Sequence, residues 1–397
     1  MKMKQFLLLA AMAALLLPAL YGCGGKTDGP AEKILSKKAY SKLVREYKEF
    51  STFQDGVCVV KKDYGKYGAI NIKGKEIISA DVLSLSDASD GMLIAENKEG
   101  QYGAYNTKGK LVLPFQYSDI STYQDGYARI ATGGWCDRKF GYANKAGKEI
   151  IAPRYDDAAP AFKEGMAYVG VSADGHTKYG YINTKGVEVI APFFSNAENF
   201  SESLAAVRTD QGYGYIDKKG DFVTAVTYDS AADFSDGLAV IEKNDKYFVI
   251  NKKDEIQITF PDDMLPAGAF HDGLIVVCRK DKQLGFCFGY MGKNGQMAIP
   301  FDYVAADGFR DGKAMTVRLV DKKLEAGYIN RKGKVQQSIS SLDGLESLMD
   351  FAESFEPVDE PFSEALSAAV LKQKYENRKD KKSHRDDDDE DDEDFDF

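Results

Sequence analysis

The chain has 397 residues, enough for two or three domains, and its 44% hydrophobic and 29% charged residues exclude wholesale disorder. Its formal charge of −10 equals the ten acidic residues between Asp386 and Phe397, so the remainder is balanced and a basic nucleic-acid footprint is excluded. Three histidines supply little material for metal or acid–base chemistry, whereas 23 Tyr, 23 Phe and 37 Gly favour β-structure rich in turns.

Residues 1–22 read as an export signal. Lys2 and Lys4 give a positive start, and Phe6 to Leu20 form an apolar stretch of fifteen residues, too short to span a bilayer comfortably. Leu20-Tyr21-Gly22-Cys23 resembles the bacterial lipobox, in which a small residue precedes a cysteine that is lipidated and becomes N-terminal; Tyr21 departs from the small residue usual two before the cysteine. The resemblance implies lipidation at Cys23 and a lipid-anchored protein of the bacterial cell envelope, periplasmic or surface-exposed. The other reading is an ordinary signal peptide or uncleaved anchor beside an incidental cysteine. Residues 23–52 form a linker and a capping helix: between Ala31 and Phe50, the spacing of Ile34, Leu35, Tyr40, Leu43, Val44 and Tyr47 fits one amphipathic helix.

Residues 53–338 repeat. A Gly followed three residues later by Asn or Asp, and six residues later by a second Gly, recurs as Gly68/Asn71/Gly74, Gly103/Asn106/Gly109, Gly141/Asn144/Gly147, Gly180/Asn183/Gly186, Gly214/Asp217/Gly220 and Gly327/Asn330/Gly333. Degenerate copies stand at Phe248/Asn251/Asp254 and Gly289/Gly292/Gly295, and first positions are 34 to 41 residues apart. A fixed inner spacing with variable separation is what repeats with loop insertions produce. An aromatic-x-x-Gly element precedes most units, as in Phe53/Gly56, Tyr123/Gly126, Phe162/Gly165 and Phe234/Gly237, with Ala88/Gly91 and Phe200/Ser203 as weaker copies. In the unit opening at Phe162, Met166 to Val171 reads as a strand, Ser172 to Lys178 as a loop, Tyr179 to Asn183 as a second strand and Val187 to Ala191 as a third. The fold class is all-β: about eight antiparallel three-stranded β-meander repeats in an open, curved, solenoid-like array. A β-propeller is the alternative, although its blades usually need four strands.

The residues that carry this pattern resemble the WG-repeat family, with Tyr67-Gly68, Tyr102-Gly103, Phe140-Gly141, Tyr179-Gly180, Tyr213-Gly214 and Phe288-Gly289 in place of the Trp-Gly pair. Tyr155-Asp156 and Tyr228-Asp229 match its Tyr-Asp element. The resemblance covers about residues 53–338 and implies an exported or surface binding scaffold more than a catalyst. The aromatic of each aromatic-Gly pair is expected to be core, one ring per unit packed on the next; the other reading is an exposed aromatic strip for glycans or peptides. Trp135, in a loop, is the better candidate for a contact.

Residues 339–378 read as C-terminal helices, Leu342 to Phe355 and Phe362 to Tyr375, parted by Pro357 and Pro361 and covering the last unit's edge. Residues 379–397 form a charged, acidic, disordered tail.

No catalytic constellation is present. His176 falls in a variable hairpin loop, His271 in a slot filled elsewhere by Ser, Lys, Gln or Arg, and His384 in the tail, and none has metal-ligand spacing to another His or Cys. Asp125, Asp236, Asp272 and Asp311 recur before Gly because the turn recurs. No cofactor, metal or catalysis is expected. Cys278 ends one strand and Cys287 opens the returning one, so a disulfide can join them across the hairpin; the other reading is buried free thiols, with Cys58 and Cys136 reduced. These features predict a lipid-anchored extracytoplasmic scaffold that binds a protein or glycan partner. The alternatives are an envelope enzyme with a loop-borne site and a cation-binding protein acting through its tail.

Overall fold

The computed structural model describes residues 27–62, 65–281, 285–320 and 323–339; the export segment, Cys23, the two C-terminal helices and the acidic tail lie outside them. The fourth repeat shows how the local sequence sets the unit. Strands β1 (Asp157–Ala158), β2 (Met166–Ala173), β3 (His176–Asn183) and β4 (Glu188–Phe194) pair in that order, all antiparallel. Strands β2 and β3 are joined by Asp174-Gly175, with φ of 52° and 78°. A two-residue turn with positive φ at both positions matches the strand twist, so the loop expected over Ser172 to Lys178 shrinks to that pair.

The next turn is closed by a side chain. Asn183 Oδ1 accepts from the backbone N–H of Lys185 (2.9 Å) and Val187 (3.1 Å), and Gly186 N donates to the Asn183 carbonyl at 2.9 Å. Asn71, Asn106, Asn144, Asp217, Asn251 and Asn330 make the same double cap, which is why the short polar residue recurs at that slot. Between these turns the β3–β4 register shifts, and a Cβ on Gly180 would meet the Ala191 carbonyl carbon and Pro192 nitrogen at 2.7 Å. Pro192 lies on the edge strand, where its missing N–H breaks no ladder bond.

Eight sheets recur among the described residues, and six of them have four strands. The expected three-stranded unit therefore gains a fourth strand, the two-residue β1, paired through Asp157↔Gly170 and Ala158↔Val169. Two residues are too few to show an alternation in sequence. The fifth sheet stops at three strands: Tyr215 N turns to Thr224 Oγ1 (2.9 Å), and only an isolated Ile216↔Phe222 bridge remains.

The sheets fall into two compact units, one ending at Thr227 and one beginning at Tyr228. Within each unit, neighbouring sheets share a core. In the first, the Tyr181 ring stands edge-on to Phe200 of the following repeat at 4.9 Å, and its hydroxyl donates to the Glu198 carbonyl at 2.7 Å. The Tyr142 ring lies tilted against Phe162 at 4.7 Å, and its hydroxyl donates to the Ala159 carbonyl at 2.6 Å. In the second unit, Tyr290 meets Phe309 at 4.8 Å and the Asp307 carbonyl at 2.8 Å. Burying such a ring stabilises by roughly 1.5–3 kcal/mol, and each hydroxyl keeps a partner.

This corrects the expectation for the aromatic of aromatic-Gly. Tyr67, Tyr102, Phe140, Tyr179, Tyr213 and Phe288 are half-buried, and the deep rings are the tyrosines just after Gly and the aromatics of aromatic-x-x-Gly. Tyr179 and Tyr181 share a strand face, so alternation does not separate them. Position along the strand does, because Tyr179 stays beside its own first strand, donating to Asp157 Oδ2 at 2.9 Å.

The recurring turn carboxylates also tie repeats together. Asp55 Oδ2 accepts from Gly91 N (2.9 Å), Asp90 from Gly126 N (2.6 Å), Asp236 from Gly273 N (2.6 Å) and Asp272 from Gly312 N (2.7 Å). At the start, two helices stand where one was expected, α1 (Ala31–Ile34) and α2 (Lys37–Glu46), parted by Ser36, which caps α2. Ala31, Leu35, Leu43 and Tyr47 cover Phe53, Cys58, Val60 and Ile70 of the first sheet, while Val44 faces solvent.

Gly186 and Gly175 separate backbone strain from packing. Both have φ near 78°, but a Cβ on Gly186 would stand 2.9 Å from the Ile150 carbonyl oxygen of the preceding repeat, whereas Gly175 has open space. Valine at either site is strained by about 1–3 kcal/mol, and Gly186→Val is expected to cost about 1–2 kcal/mol more than Gly175→Val. Equal losses in urea unfolding would show that this turn does not pack on its neighbour.

Candidate functional site

Residues repeated in every unit serve the fold, so a site is sought where a repeat departs from the pattern. The clearest departure is the connection between the strands Tyr127–Thr132 and Lys139–Asn144. It holds six residues, Gly133 to Arg138, where the next repeat uses two. Gly134 N donates to Asp137 Oδ1 at 2.6 Å, and Gly133, at φ 86°, leaves no room for a Cβ beside the Asp137 carbonyl. This closed turn projects Trp135, the chain's single tryptophan, which is 91% exposed. At its base Lys139 pairs with Asp156, which also accepts from Ser172 N at 3.0 Å. Those bonds hold the Asp156 carboxyl below the usual range, Lys139 contributing most. Chemically the loop offers a broad apolar ring with one N–H donor on a preformed turn, suited to contact rather than to proton or electron transfer.

A second single-copy group lies in the same unit. Arg129 occupies the slot held elsewhere by Val59, Ile94, Val240 and Val276. Its guanidinium donates to the Ala158 carbonyl (2.9 Å), approaches Asp119 (3.5 Å) and lies 4.6 Å over Phe140. Burial pushes the phenol of nearby Tyr168 up to about 12 and raises the Glu198 carboxyl, which accepts from Asn196 Nδ2 at 3.2 Å. The signal for this group was in the sequence, as a charge inside an apolar run, but only the structure shows what it touches.

The other candidates separate. His176 opens a strand at the hairpin tip, exposed, rather than lying in a loop. His271 Nδ1 is 3.3 Å from Ser235 Oγ, and burial holds its imidazole below the ordinary value. Ser235 Oγ already donates to the Phe270 carbonyl at 2.5 Å, and Ser89 makes the same contact to Tyr123 at 3.1 Å where no histidine is near in sequence, so this serine joins repeats. His384 and Cys23 lie outside the described residues. The Cys278–Cys287 pairing is corrected by register: Cys278 faces Phe288 and Cys287 faces Arg279, so the two thiols point to opposite faces of the sheet and are free. Among the described residues no three His, Cys, Asp or Glu gather as a metal site, and no helix is long and apolar enough to cross a membrane.

Five stretches, residues 102–134, 140–171, 179–212, 213–247 and 288–317, match the family model described as WG containing repeat. Each begins on the aromatic of an aromatic-Gly pair. No curated protein matches the chain. Solved structures with similarity include a protein of unknown function from Bacteroides caccae, 14% identical over 54% of this chain and 94% of that one, TM-score 0.25. The WD40 beta propeller domain of Doa1 is 10% identical over 66% and 83%, TM-score 0.27, and Pyrococcus horikoshii acylaminoacyl peptidase 13% over 76% and 53%, TM-score 0.32. Similarity at this level carries no argument about arrangement or activity.

The cysteines give a direct check on the sheet register. Burial pushes the Cys58 thiol up to about 11 and that of Cys278 to about 12, and raises Cys287, whereas Cys136 is exposed beside Trp135. At pH 8 the raised thiols stay protonated, so of these four a disulfide reagent should modify Cys136 promptly and the others only after denaturation. Rapid labelling of Cys278 in the native protein would contradict the register.

Proposed function

We propose that this WG-repeat β protein is a lipid-anchored, extracytoplasmic binding scaffold of a bacterial cell envelope, acting without catalysis and engaging a protein or glycan partner at the Trp135 loop. One observation carries the reading: the chain's single tryptophan stands 91% exposed on a closed six-residue turn where the next repeat uses two. An exposed indole costs solubility and adds nothing to a core. Tryptophan loses little conformational entropy on contact and dominates binding where it is used. The repeats supply rigidity, and the lipid expected at Cys23 supplies the address.

Capture from an envelope extract tests the site. Trp135→Ala is expected to leave the melting temperature unchanged, because the ring is exposed, and to weaken capture of the partner by roughly tenfold or more. Undiminished capture by a folded variant would move the contact elsewhere. The address is tested by Cys23→Ser, expected to abolish metabolic lipid labelling and release the folded protein from membranes; retention of the unlabelled variant would point to an uncleaved apolar anchor.

A further inference from the structure

The charge of this chain is unevenly laid out. From Gly24 to Val82 there are 12 basic and 8 acidic residues, whereas from Leu83 to Arg385 there are 38 basic and 44 acidic. The basic excess belongs to the helical cap and the first repeat, and the fold gathers part of it. The turn at Gly74 abuts the start of α2, since a Cβ on Gly74 would stand 3.0 Å from the Ala39 methyl. Lys37 and Lys38 in the first turn of α2 are thereby brought beside Lys73 and Lys75, all four exposed. Further along α2, Lys42 and Arg45 approach Glu46 at 3.7 and 3.6 Å. Lys33, Lys37, Lys38, Lys73 and Lys75 have no ion pair among the described residues. The first turn of α2 also contains no acidic residue, the reverse of the order that stabilises a helix, so these charges are not explained by the fold.

Two large apolar side chains stand exposed on the same two elements: Val44 on α2, 53% exposed, and Ile72 beside Lys73 in sequence, 52% exposed. A lipid headgroup layer accepts both an ammonium and a neighbouring apolar side chain. The lipidation expected at Cys23 is four residues before Thr27, where the described chain begins, a reach of about 14 Å at full extension. An anchor there would hold this cap against the bilayer.

We propose that the basic face made by α2 and the Gly74 turn docks on the anionic phospholipid surface of the membrane. The inference rests on the tethered reading above and adds an orientation to it. Docking turns the cap toward the lipid, and the attraction is electrostatic and short-ranged, so salt weakens it.

The full chain reconstituted with vesicles tests this. Phosphatidylcholine vesicles are compared with vesicles that also contain phosphatidylglycerol, and acylation of individual lysines by a water-soluble amine reagent is read by mass spectrometry. Reactivity of Lys37, Lys38, Lys73 and Lys75, relative to Lys185 in the same molecule, is expected to fall roughly threefold or more on the anionic vesicles and to recover in 1 M salt. The K37Q/K38Q/K73Q/K75Q variant should lose roughly tenfold or more of the salt-sensitive binding while keeping its melting temperature. Equal reactivity on both vesicle types, undiminished salt-sensitive binding by the folded variant, or equal protection by soluble polyaspartate without vesicles would overturn the proposal. Flotation with pure phosphatidylcholine vesicles reads the tether separately: failure there sinks the tethered reading, while the lysine reactivities on anionic vesicles still decide the docking face.

Discussion

A tyrosine that crosses from one sheet to the next is the interaction on which this architecture depends. A meander of three or four short strands cannot bury both faces by itself, so each unit needs a neighbour. Tyr142, Tyr181 and Tyr290 meet that need with one side chain each: the ring packs on a phenylalanine of the following repeat, and the hydroxyl donates to a backbone carbonyl in the loop before it. The apolar and the polar halves of the residue thus fix the same neighbour. The turn carboxylates add a second tie about 36 to 40 residues along the chain, accepting an amide that the tight turn would otherwise leave without a partner. Because these ties join adjacent repeats, insertions between strands are tolerated wherever they leave the turns at this end alone.

That division of labour explains where specificity resides. One end of a regular sheet carries the Asn cap, the turn glycine and the carboxylate, the glycine held against the preceding repeat and the carboxylate against the next. The hairpin tips at the other end are free to vary, from Asp174-Gly175 to the six residues around Trp135. The cap at the first sheet is a further exception to the repeat. Its inner face is committed to Phe53, Cys58, Val60 and Ile70, and its outer face carries lysines that no repeat requires. The tryptophan loop and the lysine face have a common origin: each is a departure from a pattern whose regular members are accounted for by stability.

Buried polar groups follow the same logic. Thiols at Cys58 and Cys278 are held protonated by desolvation and act as small apolar side chains. Ser235 beside His271 has the look of a catalytic pair until Ser89 is set beside it, making the same hydroxyl-to-carbonyl contact. Repetition identifies the serine as a joint between units.

The sequence by itself determined the all-β class, the number and phase of the repeats, and the Asn–Gly turn with its side-chain cap. These depend on residues within about six positions of one another, where spacing and φ preference act without help from the rest of the chain. It also singled out Trp135 as a loop residue. Only the tertiary structure decided which aromatic of Tyr179 and Tyr181 is core, because both lie on one face and burial is set by how far along the strand the next repeat reaches. It decided that a two-residue strand completes the sheet, since so short a segment has no periodicity of its own. It decided that Cys278 and Cys287 stay apart, because the hairpin register is one residue away from pairing them, and one residue in a strand exchanges the two faces. And it placed Lys73 and Lys75 against α2, a proximity between residues about 35 positions apart that the packing of Gly74 on Ala39 creates.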